Sequence, residues 1–351
     1  MTDKIVTEYI DALDPEQHDK AINRTAELIK KGSLAAIPTE TVYGLAANAF
    51  DGDAVKRIFE VKGRPQDNPI ISHISDLDMW PLCSENISNE AMALAQHFWP
   101  GPLTIILKKS EKISNVVTCG METAAVRMPS HPIAREIIRA AGVPLAAPSA
   151  NLSGLPSPTT AEHCMKDLNG KVPLIIDGGP CKVGVESTVI SLVGGGAVIL
   201  RPGIISLEDI RKVLPNATLS DAIMRDPKPG ERVMSPGMKY RHYSPKADVV
   251  VLRGSLDKYT EYVSSHYRDG VYALVFDGEQ VPFRTLEYGA ENDPATQAHS
   301  LFSALRKLDD LGAQQVFARC PSEKGAGLAV CNRLFRAAGF NIIDLDNLQQ
   351  G

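Results

Sequence analysis

Between residues 226 and 245 the chain loses all periodicity, and this break limits what can fold on either side of it. The segment reads Asp226-Pro227-Lys228-Pro229-Gly230, then Ser235-Pro236-Gly237-Met238-Lys239-Tyr240-Arg241-His242-Tyr243-Ser244-Pro245. It shows neither the alternation of a strand nor the 3.6-residue spacing of a helix. A plain spacer would be Gly/Ser-rich or charged. This one gathers two tyrosines, a histidine, a lysine and an arginine between prolines, which restrict its shape. At 351 residues the chain is too long for one ordinary core. We therefore expect a first unit over 1–215, a linker over 216–246 and a second unit over 247–351.

The two units differ in texture. In the first, apolar spacing predicts helices over 19–31, 53–62, 89–99, 132–141 and 207–214. Strands are expected over 34–37, 69–74, 103–107, 124–128, 145–147, 174–177, 187–192 and 197–201. Gly194-Gly195-Gly196 closes the last two into a hairpin. Helices and strands do not alternate strictly, so a twisted mixed α/β sheet is expected. From Asp248 onward the order is regular: strands over 249–252, 271–276, 315–318 and 342–345, with helices over 256–267, 295–311 and 327–338. That alternation reads as a small Rossmann-like parallel α/β domain.

A hydrophobic content of 44% makes wholesale disorder implausible, and a net charge of −5 argues against a constitutive nucleic-acid binder. No stable nucleic-acid complex is expected. The six cysteines show no C-x-x-C and no zinc-ligand spacing, which fits reduced thiols in a cytoplasmic protein. No signal peptide and no apolar run of membrane-spanning length is visible, so no membrane partner is expected.

Nucleotide signatures of the G-x-x-x-x-G-K-[ST] and G-x-G-x-x-G kinds are absent. The polar features stand elsewhere. Pro38-Thr39-Glu40-Thr41-Val42-Tyr43-Gly44-Leu45 leaves a buried strand for a polar turn. Lys62 and Arg64 flank Gly63 and precede Pro65, where a restrained backbone would hold two cations still. Ser149 and Asn151 follow a buried strand, where open α/β sheets place ligands, and Ser157 lies just beyond. Ser187 is polar within an apolar run and needs a partner. Arg127 and Arg201 each close an apolar strand and require an anion, either a protein carboxylate or a ligand. His73, Asn68 and Thr123 are weaker candidates, each open to a structural reading. Cations plus hydroxyls, with no carboxylate dyad and no Cys–His pair, fit phosphoryl or nucleotidyl transfer, where a protein supplies positioning and charge stabilisation.

Several long segments occur in an order that resembles the threonylcarbamoyl-AMP synthase family in its two-domain form. They are PTETVYGLAA (38–47), KGRPQDNPI (62–70), AVRMPSHP (125–132), APSANLSG (147–154), VESTVI (185–190), RPG (201–203) and SPGMKYRHYSP (235–245). The resemblance implies a YrdC-like domain followed by the Rossmann-like one. It implies a nucleotidyltransferase that makes L-threonylcarbamoyl-AMP and pyrophosphate from L-threonine, bicarbonate and ATP. The product would pass to the machinery that threonylcarbamoylates tRNA. It further implies that Thr41, His73, Ser187 and the Ala147 backbone contact threonine. Lys62 and Arg64 would face phosphates and the carbamate. Asn68, Thr123, Arg127, Ser149, Asn151, Ser157 and Arg201 would line the ATP site, joined by Tyr243, or alternatively Tyr240, from the linker acting as a lid. Mg²⁺ is expected with ATP, without a visible ligand cluster. One alternative is an RNA-binding module of the same fold without adenylate synthesis. Another is a hydrogenase-maturation carbamoyltransferase, but the zinc-finger and acylphosphatase-like segments of those proteins are missing here.

Overall fold

A computed structural model describes residues 5–225 and 243–347. Among them, no helix is long and apolar enough to cross a membrane.

The strands of the first unit are β1 (Glu8–Asp11), β2 (Ala35–Ile37), β3 (Gly44–Asn48), β4 (Ser72–His73), β5 (Leu103–Lys108), β6 (Thr123–Arg127), β7 (Leu145–Ala146), β8 (Leu174–Asp177), β9 (Thr188–Ser191), β10 (Val198–Arg201) and β11 (Thr218–Leu219). They form one sheet in the order β1-β8-β2-β3-β7-β4-β6-β5-β9-β10-β11. Parallel pairs such as β4/β6 and β5/β9 stand beside antiparallel pairs such as β2/β3, β5/β6 and β9/β10, so the sheet is mixed.

Helices α1 (Pro15–Lys30), α2 (Gly52–Lys62), α3 (Asn89–Phe98), α4 (Asn115–Thr118), α5 (Pro132–Ala141), α6 (Ala161–Leu168) and α7 (Leu207–Arg211) surround the sheet. Their local signals are clear. Asp14, Asp51, Ser88 and Thr160 cap α1, α2, α3 and α6 with side-chain oxygens on first-turn amides. Gly63 ends α2 in the left-handed conformation at φ 60°, and so aims the chain from Lys62 toward Arg64. Two cores result, one on each side of the sheet. Tyr43, Leu45, Phe59, Trp80, Leu103, Ile105 and Val126 anchor one, and Ile29, Ile37, Ile137 and Ile176 the other.

The second unit carries β12 (Asp248–Arg253), β13 (Val271–Val275), β14 (Thr285–Glu287), β15 (Gln315–Arg319) and β16 (Ile342–Asp344), in the order β14-β13-β15-β12-β16. Every pairing is parallel. Helices α8 (Leu256–His266), α9 (Pro294–Asp310) and α10 (Gly327–Ala337) supply the crossovers.

Three differences from the sequence reading matter for the site. The expected strand over 69–74 shrinks to Ser72–His73, because Pro69 lacks an amide donor and Arg64 holds its carbonyl. The turn expected after Thr41 instead continues into β3, which pairs with β2 and β7. Residues 216–225 fold onto the first unit: β11 pairs with β10, and Ala217 and Ile223 are buried in its core. Tyr240 and the preceding linker motif lie outside the described residues.

Candidate active site

The central strands β3, β7, β4 and β6 deliver their neighbouring loops to one cleft. It is lined by Thr41, Arg64, His73, Arg127, Ala147, Ser149, Asn151, Ser157, Ser187, Arg201 and Tyr243, with Glu186 and the apolar Val42, Pro69, Ile70 and Leu155 between them. The cleft encloses about 670 Å³, including the space at its mouth. Of the residues singled out in sequence, Lys62, Asn68 and Thr123 do not line it.

The loop after β2 forms one wall. The Thr39 hydroxyl donates to the Val42 carbonyl at 2.6 Å and lies 3.0 Å from the Thr41 hydroxyl, which closes a tight polar turn. Arg127, at the end of β6, donates to the Thr41 hydroxyl at 2.8 Å and to the Gly101 carbonyl at 3.3 Å. Its partner anion is Glu40, at 2.7 Å, both side chains being almost fully buried. Burial alone would raise the Glu40 carboxyl, but the charge of Arg127 holds it below the usual carboxylate range. Of the two anions that Arg127 left open in sequence, the protein carboxylate is present.

His73, on β4, is buried beside Arg127. Burial first, and the neighbouring guanidinium second, depress the His73 imidazole to about 3. It is therefore a neutral hydrogen-bonding group at physiological pH, and its buried Nδ1 has no hydrogen-bond partner among the described residues.

The opposite wall comes from β9 and β10. Arg201 Nε donates to the Ser187 carbonyl and a terminal nitrogen to its hydroxyl, each at 3.1 Å. The Ser187 hydroxyl also meets that of Thr104 at 2.8 Å. Burial and the nearby Arg333 pull Arg201 down to about 10, which still leaves it cationic at neutral pH. The Ser157 hydroxyl donates to Glu186 at 2.6 Å. Tyr243, 5% exposed, closes this side; it packs on Phe302 of α9 with ring centroids 5.0 Å apart and holds a left-handed φ of 64°.

Lys62 occupies a different place from the one expected. It was expected to face phosphates from outside the core, yet it is buried at the end of α2, only 3% exposed. Its ammonium donates to the carbonyls of Ser149 and Asn151, the latter at 2.5 Å, and reaches the Asn151 side chain at 3.4 Å. The cause is geometric: α2 packs its last turn beneath the 147–154 loop, so the lysine meets that loop from behind. Burial, reinforced by Arg64, lowers the Lys62 pKa strongly. Arg64 is the member of the pair that lines the cleft, and its guanidinium also donates to the carbonyls of Asn68 and Pro69. Asn68 is buried behind it, and Thr123 begins β6, half-buried and away from the cleft.

Sequence reasoning missed two carboxylates that hold the walls: Glu186, which lines the cleft, and Glu40, which pairs with the lining residue Arg127. Glu40 and Glu186 lay inside quoted motifs but were not singled out, because no acid/base dyad was visible. Each is already held by an arginine: Glu40 by Arg127, and Glu186 by Arg333 at 2.9 Å. A lining of this kind does not suit a resident hard cation, which needs several free oxygens. Elsewhere among the described residues, Cys320, Glu323 and Cys331 bring donor atoms within 4.8 Å of one another, but Arg253 pairs with Glu323 at 2.5 Å.

Comparison with known proteins decides the family. A family model described as "Telomere recombination" matches residues 27–203, and one described as "Threonylcarbamoyl-AMP synthase, C-terminal domain" matches residues 205–339. A threonylcarbamoyl-AMP synthase from Pyrococcus abyssi is 46% identical, covering 92% of this chain and 95% of its own. The chain belongs to the threonylcarbamoyl-AMP synthase family. The corresponding enzyme of Bacillus subtilis is 41% identical over 95% of this chain and 98% of its own. A solved structure of P. abyssi Sua5 complexed with L-threonine superimposes with a TM-score of 0.87 at 43% identity, covering 97% of this chain and 98% of that one. Shorter relatives also occur: a putative threonylcarbamoyl-AMP synthase of Mycobacterium tuberculosis is 36% identical and covers 60% of this chain but 96% of its own.

Proposed function

We propose that the cleft joins L-threonine, bicarbonate and ATP into L-threonylcarbamoyl-AMP with release of pyrophosphate, for threonylcarbamoylation of tRNA. The observation that carries this reading is one cleft with three arginines, Arg64, Arg127 and Arg201, interleaved with the hydroxyls of Thr41, Ser149, Ser157 and Ser187.

The chemistry needs such an inventory. The threonine amine takes up the bicarbonate carbon with loss of water, giving a carbamate. A carbamate oxygen then attacks the α-phosphorus, and the bond from that phosphorus to the oxygen bridging to the β-phosphate breaks as pyrophosphate leaves. Carbamate, amino-acid carboxylate and triphosphate crowd negative charge into one place. Fixed guanidinium groups offset that charge without reorganising during the reaction.

Thr41, His73, Ser187 and the Ala147 backbone would hold threonine, neutral His73 contributing a hydrogen bond rather than charge. Arg64, with Ser149 and Asn151 on the loop that Lys62 supports, would hold phosphates and carbamate. Ser157, Arg201 and Tyr243 would form the nucleotide end. Asn68 would act through Arg64, and Thr123 has no contact with the cleft that supports a role. Mg²⁺ would arrive with the triphosphate rather than on a protein site, since Glu186, the carboxylate that lines the cleft, is already ion-paired. Water exclusion protects the labile mixed anhydride product.

The test is pyrophosphate release from ATP with threonine or bicarbonate omitted in turn, with mass detection of the adenylate. Release that requires both, accompanied by a threonylcarbamoyl adenylate, supports the reading. Release independent of threonine removes it.

A further inference from the structure

We propose that the second domain is part of the active site's construction, with Arg333 as a positioning residue that neutralises Glu186 and fixes the wall carrying Ser157, Ser187 and Arg201. The inference rests on the function proposed above and assigns a role to Arg333, which does not line the cleft.

Arg333 lies on α10 with its side chain fully enclosed. Its guanidinium reaches across the seam into the first domain. Nε donates to the Glu186 carboxylate at 2.9 Å, one terminal nitrogen to the Pro202 carbonyl at 2.6 Å and the other to the Glu186 carbonyl at 3.2 Å. Those acceptors belong to the residue before Ser187 and the residue after Arg201. A second arginine repeats the device: Arg306 of α9 pairs with Asp167 at 2.7 Å and donates to the Pro156 carbonyl at 2.6 Å, one residue before Ser157. Three residues of the cleft thus have a chain neighbour held by an arginine of the other domain. Gly184 sits close to the same seam, where an added Cβ would lie 2.4 Å from the Ala298 carbonyl oxygen of α9.

Glu186 makes this more than a seam. It lines the cleft, and its other carboxylate oxygen receives the Ser157 hydroxyl. A bare carboxylate facing a triphosphate would repel it. Among the described residues, the groups that face Glu186 are Arg333 from α10, Arg201 from the end of β10, Tyr243 from the end of the linker and the Ser157 hydroxyl. Burial would raise the Glu186 carboxyl, but Arg333, and then Arg201, hold it low and ionised. With Arg333 removed, the largest compensating charge is gone. Glu186 must then either take up a proton or stand unneutralised beside the phosphates.

The experiment compares wild type, Arg333→Met, Glu186→Gln and the double variant Glu186→Gln/Arg333→Met. Circular dichroism confirms folding, and calorimetry gives the ATP dissociation constant from pH 5.5 to 8.5. For Arg333→Met, ATP binding is expected to weaken about tenfold or more at pH 8, the loss shrinking as pH falls and Glu186 protonates. The double variant has no carboxylate to neutralise. It is expected to bind ATP within about threefold of wild type at every pH. If Arg333→Met does not fold, the double variant carries the test alone, and a tenfold loss in it once folded would overturn the proposal. Unchanged ATP affinity in folded Arg333→Met would also overturn it. So would a loss that is equal at all pH values and not repaired by Glu186→Gln. A wild-type chain that takes up no ATP would instead remove the functional reading itself.

Discussion

Arg127 and Arg201 in the first domain, and Arg306 and Arg333 in the second, are all nearly inaccessible to solvent, and each meets a carboxylate, a hydroxyl or a carbonyl. The first two line the active-site cleft; the last two do not. Burial of a guanidinium therefore does not mark a ligand site by itself. It marks one where the group also lines the hydroxyl-rich cleft, as Arg127 and Arg201 do. The two sheets differ in the same way. The mixed sheet of the first domain brings loops from both strand directions to one place. The second domain turns faces of α9 and α10 against its neighbour and sets Arg306 and Arg333 in the join, while Arg319 pairs with Glu279 inside the domain.

The largest expected effect falls on the cleft side. Arg64→Ala should lower threonine-dependent pyrophosphate release by about 100-fold or more, the usual scale for losing one preorganised charge donor. Its thermal unfolding should stay close to wild type, since Arg64 is half-buried at a loop. Near-normal turnover in that variant would erase the distinction between cleft arginines and seam arginines.

The next effect falls on the seam. Arg306→Met leaves Asp167 buried without its partner, and unfolding in urea should show a loss of about 3–5 kcal/mol. Adding Asp167→Asn should restore most of it. Stability unchanged in Arg306→Met would mean that the join does not depend on this ion pair.

Lys62 stands between the two classes and sharpens the contrast. Lys62→Met strips a donor from the Ser149 and Asn151 carbonyls, at about 1–3 kcal/mol for each left unsatisfied. It should lose both stability and pyrophosphate release, whereas Arg64→Ala should lose release alone.

The smallest expected effect is in pH dependence. His73 is depressed to about 3 and His163 to about 4, both chiefly by burial. Between their ordinary value near 6.5 and those values, the unfolded chain binds protons at these two sites that the folded chain does not, so the two histidines lower stability as pH drops from 7 to 5. His18, whose pKa is raised, makes an opposite but single contribution. Each such histidine contributes a slope of about 1.4 kcal/mol per pH unit. His73→Asn should flatten the urea-midpoint profile over that range by about one proton's worth. Below about 4.5, Glu40 and Glu186 act in the same direction, because their arginines hold them ionised in the fold.

Much of this was legible in the chain because its signals are local. Caps, prolines and glycines place helix ends: α5 begins at Pro132 and ends before Gly142, as its sequence states. The alternation after Asp248 gives the parallel sheet. What could not be read were contacts made at long range. Lys62 looks like half of a surface pair until α2 packs beneath the 147–154 loop. Glu186 reads as an ordinary polar neighbour of Ser187 until Arg333, 147 positions away, reaches it. One clue was present. Arg333 falls on the same helical stripe as Ala329, Val330 and Ala337, an apolar face where a charged residue demands a partner. Short strands such as β4 and β11 were misplaced or missed because two residues carry no period of their own.

One cleft holding an amino acid and a nucleotide together is the central claim, and calorimetry of threonine binding with and without a non-hydrolysable ATP analogue tests it most directly. Both ligands should bind the same protein at one site each, and Arg64→Ala should weaken the analogue far more than threonine. If threonine and the analogue displace one another completely, or if neither binds, the cleft does not bring them together and the claim fails.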